Sequence, residues 1–102
     1  MKKSLTKYAR SNLQEVHALS KEHNGRRRPH KDILLKLVRE HVKEIEDLHG
    51  RKDGHFSTEV GDLMILCYEL LLEDRKDLDR IMEKCYDRYK RKLKGLLKCQ
   101  DR

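Results

Sequence analysis

Proline occurs once in the 102 residues and glycine only five times. So little interrupts a helix that the default class is all-α. No apolar run reaches the length of about 18 residues that a membrane-spanning helix needs, and residues 1–11, MKKSLTKYARS, have no apolar signal core. The expectation is a soluble, cytoplasmic protein with no membrane partner. Cysteine is sparse and unpaired in spacing: Cys67, Cys85 and Cys99 form neither a disulfide framework nor a metal-binding pattern. Cys67 and Cys85 fall on apolar helix faces and are expected to be small buried hydrophobes. Apolar residues are also scarce, at 36% against 42% charged. That suits a single domain over 1–102 with a modest core, one that gains by burying more surface in an oligomer.

What the chain has in quantity is positive charge. The formal balance of +7 and a pI near 9.4 favour polyanionic partners such as nucleic acid, a nucleotide or an acidic protein. Residues 3–23 space Leu5, Tyr8, Ala9, Leu13, Val16 and Leu19 for a first amphipathic helix, which His23-Asn24-Gly25 stops. After the basic connector Arg26-Arg27-Arg28-Pro29, Asp32 is the expected cap of a second helix reaching about Leu48. Ile33, Leu34, Leu37, Val38, Val42, Ile45 and Leu48 supply its stripe. The turn Gly50-Arg51-Lys52-Asp53-Gly54 is short enough to make the next helix an antiparallel neighbour. That third helix, begun at Ser57 or Thr58, runs to about Glu73. Asp77 then caps a fourth, with Leu78, Ile81, Met82, Cys85, Tyr89, Leu93, Leu96 and Leu97 on one side and a basic opposite side. The predicted architecture is an antiparallel bundle of about four helices, completed by oligomerisation.

Residues 55–73, HFSTEVGDLMILCYELLLE, concentrate the chemistry. Glu59 and Asp62 are three apart, on one helix face, and directly precede the longest apolar run, 63–72. Acids beside buried surface call for a cation. Folding the third helix back about Lys52 sets Glu59 opposite about residue 45 and Asp62 opposite about residue 42. Glu40, His41, Glu44 and Asp47 are then within reach. Two acids from each of two packed helices make an oxygen-rich cage for Mg²⁺ or Mn²⁺. His17, His23 and His49 have no ligand spacing and are expected at the surface or at caps. Chance pairing on a solvated face is the competing reading for any acids at this spacing.

Leu34-Leu35-Lys36-Leu37-Val38-Arg39-Glu40-His41-Val42-Lys43-Glu44, followed by Glu59-Val60-Gly61-Asp62-Leu63, resembles the signature of the MazG-like all-α nucleoside triphosphate pyrophosphohydrolases. In that family Glu-Glu-x-x-Glu precedes Glu-x-x-Asp by one to two dozen residues. Asp77 to Lys84 and Arg88-Tyr89-Lys90-Arg91 resemble the acidic opening and basic-aromatic end of the family's last helix, so the likeness covers about residues 30–93. The second motif matches at Glu59 and Asp62, and the first departs. One register places Glu40 at the second Glu and Lys43 at the last, the next pairs His41 with Glu44, and a third pairs Glu44 with Asp47. The resemblance implies Mg²⁺ or Mn²⁺ held by Glu40, Glu44, Glu59 and Asp62. It also implies Glu44 or Glu40 as general base and Lys84, Arg88 and Arg91 as phosphate clamps. The reaction would convert a nucleoside triphosphate to a nucleoside monophosphate and pyrophosphate, in a homodimer or homotetramer. Tyr8, His30 or Phe56 could stack on the base. The alternative is a non-enzymatic helical protein whose basic fourth helix binds nucleic acid or an acidic partner; no helix-turn-helix or other nucleic-acid module is visible in the sequence.

Overall fold

A computed structural model describes residues 7–25 and 29–100. Four α-helices account for nearly all of them: α1 (Lys7–Asn24), α2 (His30–Gly50), α3 (Phe56–Glu73) and α4 (Leu78–Gln100). The expected Leu5 contact and the arginine connector 26–28 lie outside the described residues. No described helix is long and apolar enough to cross a membrane.

The helix ends follow from local chemistry. Gly25 has φ +63° and its N–H donates to the Lys21 carbonyl at 3.1 Å, ending α1 in the left-handed conformation that glycine tolerates best. α2 begins directly after Pro29 rather than at Asp32, because proline's φ of −54° is already helical and it has no N–H to satisfy. Asp32 instead lies in the first turn, where the helix dipole favours an acid.

α2 and α3 end alike. Lys52 (φ 54°) and Arg75 (φ 55°) take the left-handed position, and each following N–H reaches back to close the terminus: Asp53 to the Leu48 carbonyl at 3.0 Å, Lys76 to that of Leu71 at 3.2 Å. The glycines bracketing the first turn, Gly50 and Gly54, do not occupy that strained position. α3 starts at Phe56, one residue before Ser57, because Asp53 Oδ1 accepts from both the backbone N–H and the ring Nδ1 of His55 at 2.9 Å and turns the chain early. Asp77 does cap α4: its Oδ1 accepts the Asp79 N–H at 3.0 Å.

The core is small. Leu34 is fully buried, and Leu13, Leu48, Leu66 and Leu78 are the other buried apolar side chains among the described residues, with α2 and α3 the most extensively packed pair. Arg10 pairs with the buried Asp79, joining α1 to the start of α4, and Lys31 pairs with Asp74. α4 packs only through its first turns. Leu78 is buried and Ile81, Met82 and Cys85 half-buried, whereas Tyr86, Tyr89, Leu93, Leu96 and Leu97 are exposed. The projecting helix stretches the molecule to 55 × 40 × 26 Å. Cys67, expected inside, is exposed, because it lies on the side of α3 turned away from the buried Leu66 and Glu69.

Candidate metal-binding site

His41, Glu59 and Asp62 converge on the α2–α3 seam, each offering a ligand atom within 4.8 Å of the others. His41 belongs to the inward stripe of α2, seven residues from both Leu34 and Leu48. The expected level opposite Glu59, Ile45, is one turn away on that stripe and has no polar atom, so the carboxylate finds the imidazole. His41 Nε2 lies 3.5 Å from Glu59 Oε2. The ring's other nitrogen, Nδ1, lies 3.0 Å from the Leu37 carbonyl oxygen, which can only accept, so Nδ1 carries a proton. With Nδ1 held by a carbonyl, as a metal-binding histidine usually is, Nε2 is the nitrogen turned to the carboxylate.

The other expected site residues are arranged differently. Glu40 and Glu44 flank His41 on the exposed side of α2, outside this group of three. Asp47 pairs with Arg51 at 3.1 Å. Lys84, Arg88 and Arg91, at successive turns of α4, line a shallow groove with Ile81, Cys85 and Asp87. No acid of α2 or α3 lines that groove, so one chain does not bring the clamps to the carboxylates.

A second cluster was not foreseen. His17, expected at the surface, is wedged between two acids of α3, with Nδ1 3.1 Å from Glu69 Oε1 and Nε2 2.9 Å from Glu73 Oε2. His30, a candidate for base stacking, is buried instead against the His17 ring, edge-on at 5.4 Å between centroids. Phe56 packs on His49 at 5.8 Å; the Tyr8 side chain lies outside the described residues. Lys21 Nζ also reaches Glu73 at 3.1 Å. Burial pushes the Glu73 carboxyl up, but the hydrogen bonds from Lys21 and His17 outweigh it and hold the group below its ordinary value. The sequence offered one hint: Glu69 and Glu73 lie one turn apart among leucines. Their partners are more than fifty residues away in α1.

No protein-family model matches the chain, and no curated protein or solved structure is significantly similar to it.

Proposed function

We propose that this protein is a divalent-metal-dependent nucleoside triphosphate pyrophosphohydrolase, with His41, Glu59 and Asp62 as metal-binding residues. The observation behind the reading is the convergence of His41, Glu59 and Asp62, with His41 Nε2 3.5 Å from Glu59 Oε2. It favours the register in which Glu40-His41-x-x-Glu44 stands for the first acidic motif of the MazG-like pattern and His41 replaces a carboxylate. An imidazole among carboxylates suits Mn²⁺ better than Mg²⁺, whose preferred donors are all oxygen. The bound ion would supply charge neutralisation at the phosphates and a more acidic water.

The chain's own groups carry the rest. Glu44, three residues from His41 and exposed, accepts the proton of the attacking water, with Glu40 as the other candidate. Water adds to the α-phosphorus, the bond to the α,β-bridging oxygen breaks, and pyrophosphate leaves. Lys84, Arg88 and Arg91 bind phosphate oxygens. They do so from a second copy of the chain, because within one chain their groove is separate from the acids and the apolar face of α4 is uncovered. Incubation with a panel of nucleoside triphosphates and Mn²⁺ or Mg²⁺ tests the reading: monophosphate and pyrophosphate are the expected products, and their formation requires Glu59.

One observation favours a second reading. Arg80, Lys84, Arg88, Lys90, Arg91, Lys92 and Lys94 are all exposed on the projecting α4, and Arg88 lies over the Tyr89 ring at 5.6 Å. Such a helix suits a nucleic-acid backbone. Affinity falling steeply with salt, and weakened in an Arg88→Ala/Arg91→Ala variant, would support it.

A further inference from the structure

α1, α2 and α3 bring a second cluster of histidines and acids together. His17 comes from the middle of α1, His30 from the first residue of α2, and Glu69 and Glu73 from adjacent turns of α3. Glu69 is 2% exposed, and the His30 side chain 7%. A buried carboxylate and a buried imidazole each need a partner. Glu69 has His17, but His30 Nε2 has no hydrogen-bond partner, and the closest carboxylate oxygen, Glu69 Oε1, is 3.8 Å away. A nitrogen sealed from solvent and held beyond hydrogen-bonding distance of an acid carries a desolvation cost that a ligated cation would offset. His17, His30 and Glu73 each offer a ligand atom within 4.8 Å of the others.

We infer that His17, His30 and Glu73 form a second metal site, for Zn²⁺ or a similar borderline transition-metal ion, with Glu69 on the other ring nitrogen of His17 as an outer partner. Two imidazoles and one carboxylate match the three protein ligands of a Zn²⁺ site whose fourth position is taken by water, and the imidazoles disfavour Mg²⁺ and Ca²⁺. Bonds of about 2.1 Å place tetrahedral ligand atoms about 3.4 Å apart, so the cluster closes on the ion by small side-chain rotations. The competing cation is dispensable: Lys21 is 53% exposed and free to swing into water. Asn24 provides the outer support. Its side-chain amide lies 3.0 Å from His30 Nδ1. Rotated by half a turn, that amide offers its oxygen to a proton on Nδ1 and directs the Nε2 lone pair at the ion. The ion fastens α1 across the α2–α3 pair.

This site is independent of the proposed enzymatic one. Glu59 and Glu69 are ten residues apart on α3, about 15 Å along its axis. Metal-stripped full-length protein is titrated with Zn²⁺ by calorimetry and with Co²⁺ by visible absorption. In Glu59→Gln, which removes a ligand of the α2–α3 seam, the expected result is one Zn²⁺ of micromolar or tighter affinity with strong tetrahedral Co²⁺ bands. Both signals are lost when His17→Ala or His30→Gln is added to that background. Long-range ¹H–¹⁵N spectra of wild type, which do not depend on a variant folding, then show Zn²⁺-induced shifts at the ring nitrogens of His17 and His30. Failure of these nitrogens to respond overturns the inference. So does binding that is lost in Glu59→Gln but retained in His30→Gln, which assigns the ion to the α2–α3 seam.

Discussion

His41 Nε2 stands 3.5 Å from Glu59 Oε2 across the α2–α3 seam, while Nδ1 of the same ring is engaged by the Leu37 carbonyl. A ring so oriented turns Nε2 to Glu59 and Asp62. Replacing Glu59 by Gln keeps the shape and removes the charge. Metal-dependent turnover is expected to fall by more than about 100-fold, beyond what the loss of an outer partner costs, with an unchanged circular dichroism spectrum. His41→Glu restores an all-oxygen set, and the ratio of Mg²⁺- to Mn²⁺-supported rates is expected to rise.

Among the described residues Leu34 is the most completely buried side chain, at 0% exposure. Truncation to Ala leaves a cavity where the small core has little left to collapse. The expected cost is about 2–5 kcal/mol, read as a lower midpoint in urea unfolding with the slope unchanged.

Arg75 holds a left-handed backbone at φ 55° to end α3. A β-carbon is unfavourable there, and glycine relieves it while losing more entropy on folding. The net expectation for Arg75→Gly is a gain of roughly 0.5–1 kcal/mol, measured by the same unfolding method. Asp77→Ala acts oppositely at the next helix: without the carboxylate on the Asp79 N–H, stability falls by about 1 kcal/mol.

Asp53 gives the pH dependence. Its carboxyl is held below the usual range, first by the His55 backbone N–H and then by the His55 ring. A depressed acid contributes stability that is complete above its unfolded pKa of about 3.9 and is lost as pH falls through the lower folded value. The advantage of wild type over Asp53→Ala is therefore expected to shrink as pH falls below about 4, followed by thermal melts from about pH 5 downward.

The helices were legible in the sequence because stripe residues such as Leu34, Leu37 and Leu48 repeat at helical spacing and the stop at Gly25 and the start at Asp77 are local. The paired acids Glu59 and Asp62 were legible for the same reason. Their neighbour was not: whether α2 offers Glu40, His41 or Glu44 depends on how the turn at Lys52 folds back, and a one-residue change rotates the answer by about 100°. The His17–Glu69–Glu73 cluster was less visible still, because spacing along the chain carries no trace of contacts made by packing α1 on α3. The apolar side of α4 was read correctly as a stripe, yet most of it finds no cover within one chain.

The central claim is that the His41–Glu59–Asp62 group serves metal-dependent cleavage of a nucleoside triphosphate. The most direct measurement is ³¹P NMR of purified protein incubated with each common ribo- and deoxyribonucleoside triphosphate and Mn²⁺, beside a Glu59→Gln control. The account predicts a monophosphate and pyrophosphate from at least one nucleotide, abolished by chelation and by the substitution. No cleavage of any of them, or release of orthophosphate at the same rate from both proteins, would contradict it.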